Sequence, residues 1–376
     1  MRIIFICGSL EPGKDGVGDY TRRLCGELLK QGVTVGMLAY NDKHLHNKME
    51  TIQESDGYAI PSLRLPHTWK SKARCKEAKA WIDLQNPEWL SLQFVPYAFH
   101  NKGVPVGLGR QLKEMGTNRK WHIMFHELWL GLRNNDSIKF RVIGFLQRKI
   151  VYFLIKKINL EVVHTHTQFY IAELLNMGLS PNYLPIFSNI PFNKITSENI
   201  ISDIKKITFV IFGTIHPNAP VKQFAEEVFD YFSSKKELNC NLIIIGKTGA
   251  EHNNWVKEFH LLGIDVKVYG ELKEEEVSYV LQDASFGITT NPIFVVEKSG
   301  TVAAMREHNL PVIIVAENTR PKNDFKFNFD SNMVEYKVGN FCRLMNKKYD
   351  KLPYRGVSEI SIQFLKDINV EQLTLK

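Results

Sequence analysis

The sequence predicts an α/β protein of two Rossmann-like domains, each a doubly wound parallel sheet, facing across a cleft. Three observations predict it. In the first half, short β-branched apolar runs ("IIFIC", "VTVGMLAY", "WLSLQF", "WHIMFH", "LEVVHT") alternate with helical patterns. Near Pro185 the alternation breaks in "PIFSNIPFNKITSENIISDIKK", which has prolines, polar residues and no period. It then restarts with "ITFVIFG", the helix "VKQFAEEVFDYFSSK", "NLIIIG", "VKVYG", "ASFGITT" and "PVIIVA". The expected domains are 1–188, a linker over 189–206, 207–352, and a C-terminal helix over 353–376 that packs back on the first domain.

The first element pair is the most informative. Strand Ile3–Cys7 runs into a loop, Gly8 to Gly18, and a helix is expected from Asp19 to Gly32 before a strand at Val33–Leu38. Glycine-rich backbone at a helix N-terminus suits an anion. The spacing, Gly8 then Gly13, Gly16 and Gly18, is too loose for a dinucleotide turn, which follows its strand at once. A phosphate-bearing ligand of another kind is the leading expectation, against an ordinary surface loop.

Bulk properties narrow the classes. A chain of 376 residues with 44% apolar and 23% charged residues can bury two cores. Five scattered cysteines form no Cys-x-x-Cys pair, so neither zinc site nor disulfide framework is indicated. They fit a reducing, cytoplasmic setting. No apolar run reaches the ~20 residues of a membrane span. The net charge of +8 is concentrated: residues 102–157 hold twelve Lys/Arg against three acids, an excess of nine. Within them "SIKFRVIGFLQRKIVYFLIKKINL", 137–160, reads as a basic aromatic helix. Either it is a core helix with a solvated basic face, or it lies on an anionic membrane surface. No nucleic-acid-binding motif accompanies the charge.

Candidate site residues fall after strands. In "LQFVPYAF" Gln93 is expected just after a strand that Pro96 stops, and His126 and Glu127 follow "WHIMF", a pairing suited to proton handling or hydroxyl recognition. His164 and His166 lack a third metal ligand nearby. Thr165 and Thr167 beside them read as caps of the helix ending at Leu175. In the second half, Gly213 and Thr214 follow a strand and Lys222 lies on the next helix. The strongest signal is "TTNPIFVVEKSGTVAAMREHNLPVIIVA". There Ser299, Gly300 and Thr301 open a helix whose N–H groups can hold an anion, Lys298 adds charge, and Glu297 can accept from sugar-type hydroxyls.

The opening "GSLEPGKDGVGDYTRRL", the "HE" after a strand and "EKSGTVAAM" before "LPVI" resemble, in order and over nearly the whole chain, the family-4 glycosyltransferases of GT-B fold. The resemblance implies transfer of a sugar from a nucleotide-sugar donor to a hydroxyl acceptor, with retention and without metal or other cofactor. It implies a glycan, lipid-linked or small-molecule acceptor and a cytoplasmic enzyme of polysaccharide biosynthesis, peripheral at the membrane. It places His126 near the transferred sugar, Glu297 on sugar hydroxyls, and Ser299, Gly300 and Thr301 around the diphosphate, with Gly16 and Gly18 near donor and acceptor. His126, Glu297 and Lys298 are the expected catalytic residues. Gly213, Thr214 and Lys222 join the donor side, and Gln93 and Glu127 the acceptor side. Two departures stand out: Met305 occupies the place of the family's second glutamate, and Thr214 that of its arginine. A lapsed enzyme that only binds nucleotide sugar, or another nucleotide-sugar-modifying enzyme, is the alternative.

Overall fold

The computed structural model describes residues 1–193, 206–235, 237–323, 325–350 and 355–369. The chain divides into two units, Met1–Pro185 together with the stretch from Val357, and Ile186–Gly356. Most of the expected linker, 194–205, lies outside the described residues. Residues 186–193 belong with the second unit, where the Ser188 N–H bonds Glu307 Oε1 at 2.6 Å.

The first unit is an eight-stranded sheet. In chain order it is built from β1 (Arg2–Cys7), α1 (Gly16–Lys30), β2 (Thr34–Asp42), β3 (Met49–Ser55), β4 (Tyr58–Pro66), α2 (Ser71–Gln85), β5 (Trp89–Phe94), α3 (Pro96–Phe99), α4 (Leu108–Met115), β6 (Lys120–Phe125), α5 (Ile138–Ile155), β7 (Leu160–Thr165), α6 (Gln168–Leu175) and β8 (Asn182–Tyr183). The strand order is β3-β4-β2-β1-β5-β6-β7-β8, parallel except for the β3–β4 hairpin. That hairpin turns on Asp56 and Gly57, both at positive φ (50° and 82°), as a tight two-residue turn requires.

In the second unit come β9 (Lys206–Phe212), α7 (Val221–Ser233), β10 (Asn239–Ile245), α8 (His252–Leu261), β11 (Asp265–Gly270), α9 (Glu274–Asp283), β12 (Phe286–Thr289), a 3₁₀ turn (Val296–Lys298), α10 (Gly300–Glu307), β13 (Val312–Ile314), β14 (Met333–Glu335) and α11 (Phe341–Met345). Its strands run β11-β10-β9-β12-β13-β14, all parallel. Apolar clusters cover both faces, one around Phe209, Phe224 and Trp255, the other around Val210, Val302 and Met305. This is why its strands read as continuous apolar runs rather than alternating ones.

The last helix, α12 (Val357–Ile368), returns to the first unit. Phe364 packs against Phe5 of β1 at 5.8 Å, Gln31 bonds Ser361, and Gln363 donates to the Tyr183 carbonyl at 2.9 Å.

Candidate functional site

Each sheet reverses its strand order once, between β1 and β5 in the first unit and between β9 and β12 in the second. Such reversals open a crevice at the strands' carboxyl ends, where ligands bind in this class of sheet.

At the first reversal the structure corrects the expectation for the opening loop. Helix α1 begins at Gly16, not Asp19, because Asp15 caps it: its carboxylate accepts the N–H of Val17 (3.0 Å) and of Gly18 (2.8 Å). Gly16 and Gly18 are therefore first-turn helical residues. The loop's amides are used internally. Leu10 N–H bonds Asp42, Glu11 N–H bonds Ser9, Gly13 N–H bonds Asp19, and Lys14 N–H bonds the Glu11 carbonyl, at 3.1 to 3.3 Å. Four amides of that stretch are thus committed to partners within the first unit. Buried Asp42 anchors it from β2. Burial pushes its pKa up, but the Arg64 guanidinium at 2.8 Å and the amides of His44 and Leu10 outweigh that and hold the carboxyl below its usual range. Gly18 has a packing reason: a Cβ there would stand 2.6 Å from the Ser9 carbonyl oxygen, whereas one on Gly16 would meet nothing.

Beside this loop, Gln93 lies inside β5, one residue before its end rather than after it as expected, and His126 and Glu127 directly follow β6. Gln93 and His126 are buried, and His126 Nε2 lies 2.8 Å from Gln93 Oε1. The other ring nitrogen of His126 is 2.9 Å from His166 Nε2 at the end of β7. Glu127 is half-buried, its N–H directed at the Phe94 carbonyl. Thr167 caps α6 as expected, accepting the Tyr170 N–H at 2.9 Å, while Thr165 donates instead to the Phe125 carbonyl.

At the second reversal a cavity of about 400 Å³ opens. Phe212, Thr214 and His216 line it from the end of β9, Asn291 from the end of β12, and Ser299, Gly300 and Thr301 from the start of α10. Asn189 and Ile190 complete it. Ser299 caps α10, its hydroxyl accepting the Val302 N–H and lying 3.1 Å from the Thr301 hydroxyl. The cap is held in turn: Asn291 Nδ2 donates to Ser299 Oγ at 3.2 Å and to Thr289 Oγ1 at 2.8 Å, and its oxygen is 3.1 Å from His216 Nε2. Gly213 sits at φ +84°, and a Cβ there would be 2.7 Å from the Thr301 methyl. The glycine lets strand β9 approach the helix start closely. Helix-start N–H groups facing a crevice offer positive potential to a ligand there.

Not every expected residue reaches this cavity. Lys222 is exposed on α7, and Glu297 and Lys298, half-buried in the 3₁₀ turn, lie next to its lining rather than in it. Met305 is fully buried, and a Cβ on Gly287 of β12 would come 2.4 Å from its sulfur. A glutamate at 305 would bury a carboxylate in an apolar core. Glu307 is instead the buried carboxylate of this helix, spent on the Ser188 amide. Among the described residues, no group of three or more His, Cys, Asp or Glu is placed to hold a metal ion.

No family model matches the sequence, and no curated protein does either. Solved structures do match over the whole chain. The apo form of the lipopolysaccharide outer core galactosyltransferase WaaB superposes with TM-score 0.59 at 14% identity, covering 99% of this chain and all of that one. The chain has the GT-B fold. WaaG, a glycosyltransferase involved in lipopolysaccharide biosynthesis, matches with TM-score 0.50 at 10% identity over 84% of this chain and 81% of its own. A putative UDP-N-acetylglucosamine 2-epimerase from Listeria monocytogenes matches with TM-score 0.52 at 10% identity, over 99% and 96%. The GT-B fold thus accounts for both strand-order reversals, and the local chemistry around them is this chain's own.

Asn291, His216, Asn189 and Ile190 were not singled out by sequence reasoning. The signal for Asn291 was present, since it stands two residues past the end of β12 at Thr289. His216 and Asn189 carry no local signature; only the fold brings them in.

Proposed function

We propose that the protein is a family-4-type, retaining glycosyltransferase that uses a nucleotide-sugar donor without a metal ion. One observation carries the reading: the cavity at the second sheet's reversal, with the capped N-terminus of α10 in its wall. The N–H groups of α10, the hydroxyls of Ser299 and Thr301, and nearby Lys298 supply the positive potential that a leaving diphosphate needs. Glu297 receives sugar hydroxyls and Glu127 belongs to the acceptor side, while His126 and Gln93, expected beside the transferred sugar and the acceptor, are buried with their ring and amide atoms bonded within the sheet and support that wall from behind. In a retaining path the departing phosphate takes the acceptor proton, so no dedicated base is required. WaaB and WaaG are named as glycosyltransferases of lipopolysaccharide assembly. That supports a sugar donor and a glycan or lipid-linked acceptor for this chain.

We further propose that α5 rests on an anionic membrane surface. Its outer face exposes Phe145 and Phe153 at about 60% each and Ile138 at 80%, interleaved with exposed Lys139, Arg141, Lys149, Lys156 and Lys157. A second cavity of about 340 Å³ on this face is lined by Phe145, Arg148, Lys149 and Tyr152. Exposed aromatics framed by cations, with no acid in the helix, suit lipid phosphate and the acyl boundary. Among the described residues no helix is long and apolar enough to cross a membrane.

The test of the donor reading is calorimetric titration with a panel of nucleotide sugars, followed by product analysis. Lys298→Ala is expected to lower turnover by about 10²–10³-fold, the scale of losing one transition-state charge partner, with the melting temperature unchanged. Unaltered turnover would remove Lys298 from the mechanism. Conversion of the donor sugar with no acceptor present would favour an epimerase, as the fold of the Listeria protein permits.

A further inference from the structure

Seven hydrogen bonds run unbroken through the first sheet. Leu184 O is 2.9 Å from His166 Nδ1, and His166 Nε2 is 2.9 Å from His126 Nδ1. His126 Nε2 is 2.8 Å from Gln93 Oε1, and Gln93 Nε2 is 2.8 Å from Ser91 Oγ. Ser91 Oγ is 2.8 Å from His122 Nδ1, His122 Nε2 is 2.9 Å from His164 Nδ1, and His164 Nε2 is 2.9 Å from Asp367 Oδ2 on α12. All eight ring nitrogens are used. Every side chain between the two ends is buried.

Each bond needs one hydrogen, and both ends, a carbonyl and a carboxylate, only accept. A neutral imidazole brings one N–H, a hydroxyl brings one, and an amide presenting oxygen on one side and nitrogen on the other brings one. Four histidines, Ser91 and Gln93 therefore supply six hydrogens for seven bonds. We propose that the chain holds one further proton, so that one of these four histidines is an imidazolium at neutral pH and above, balanced by the Asp367 carboxylate. Without it, two lone pairs would face each other at about 3 Å in the interior, an unmade buried bond that costs ~1–3 kcal/mol. Where the cation lies on His164, the Asp367 carboxylate at 2.9 Å offsets the cost of burying it.

The Gln93 amide decides where the proton rests. As placed, Gln93 donates toward Ser91, which donates to His122, which donates to His164, which donates to Asp367. Those two histidines are then neutral, and the extra proton lies on the His126–His166 pair. Burial, then neighbouring His164, holds His122 well below the ordinary imidazole value, in keeping with a neutral ring. Turning the amide over reverses every donor up to His164, which becomes the imidazolium beside Asp367. Facing the rings are Tyr20 of α1, edge-on to His126 and His166 at 5.0 and 5.4 Å, and Phe364 and Asp367 of α12. His166, His122, His164 and Asp367 are thus positioning residues that set the charge at His126. Their effect on turnover rests on the transferase reading; the proton count does not.

The full-length protein labelled with ¹⁵N-histidine decides the matter by two-bond ¹H–¹⁵N correlations at about pH 8.5, some two units above the ordinary imidazole pKa. The wild type is expected to show one imidazolium proton, on one ring or averaged over a pair. Ser91→Ala cuts the chain and leaves the His164–Asp367 contact in place. Its two pieces balance with neutral rings once the Gln93 amide donates to His126, so the imidazolium is expected to vanish. Gln93→Leu is a second cut with the same expectation, and either cut suffices if the other variant does not fold. Asp367→Asn supplies the seventh hydrogen from its amide and is expected to abolish the signal too. Four neutral rings in the wild type overturn the proposal. So does an imidazolium that survives Ser91→Ala or Gln93→Leu, because an isolated His164–Asp367 pair would then explain it. A protein that transfers no sugar would leave each of these outcomes readable.

Discussion

Gly16 and Gly18 stand two residues apart in one helical turn, and the backbone asks opposite things of them. Any side chain on Gly18 meets the Ser9 carbonyl at 2.6 Å, while Gly16 faces open space. Gly18→Ala is expected to cost about 1–3 kcal/mol as loop and helix part. Gly16→Ala is expected to be neutral or to stabilise by up to ~1 kcal/mol through helix propensity. Chemical denaturation of the two variants checks both. If Gly16→Ala keeps its stability and loses turnover, Gly16 serves close approach of a ligand. At this scale the sequence was legible where the signal was local. Thr167 before "QFY" announces a cap and the structure has it, whereas Thr165, read the same way, donates to the Phe125 carbonyl. What was not legible came from afar: Asn291 meets His216 across 75 positions, and His164 meets Asp367 across 203. No spacing rule reaches that distance. The histidines read as unrelated because a parallel sheet sets neighbours side by side that are 30 or more residues apart.

Among the elements, α5 leaves several large apolar side chains exposed. The sequence left open whether its apolar residues are buried on several sides. The structure buries Gly144, Gln147, Val151 and Leu154 and leaves Phe140, Val142, Phe145, Leu146 and Phe153 exposed. Flotation with vesicles containing anionic lipid is expected to carry the protein upward, and more weakly as salt rises. Phe145→Asp together with Lys149→Glu is expected to reduce bound protein about tenfold or more, since each cation near such a surface is worth ~1 kcal/mol. Equal flotation with neutral and anionic vesicles would sink the idea. Strands that read as apolar runs were legible because both faces of their sheets are covered. The β3–β4 hairpin was missed because β3 is a polar edge strand, mostly open to solvent. Its turn pair, Asp56-Gly57, was the available signal. The start of α1 was misplaced because glycine weighs against helix, and Asp15 overrides that weight by taking two amides at once.

At the scale of the molecule, the first unit is discontinuous in sequence, and α12 completes its core. Phe364 lies fully buried against Phe5, His122 and His164. A chain ended at Gly356 is expected to show two thermal transitions, one near the intact protein's value for the second unit and one clearly lowered for the first. Phe364→Ala, which removes only the ring, is expected to cost about 3–5 kcal/mol in the first unit alone. Scanning calorimetry reads both. An unshifted first-unit transition in the truncated chain would mean that α12 contributes no stability. The doubled α/β plan was legible because its period repeats twice along the chain. The membership of residues 186–193 was not, because it depends on a buried carboxylate, Glu307, more than a hundred positions away.

The placement of α12 also sets an order of events during synthesis. Residues 186–356 leave the ribosome with all their own strands before the helix beginning at Val357 exists. The second unit can therefore close its core while the first still waits for its final piece, with Phe5, His122 and His164 uncovered. In the growing chain the half that was made first is the half that finishes last, and until then it is the part a chaperone would find.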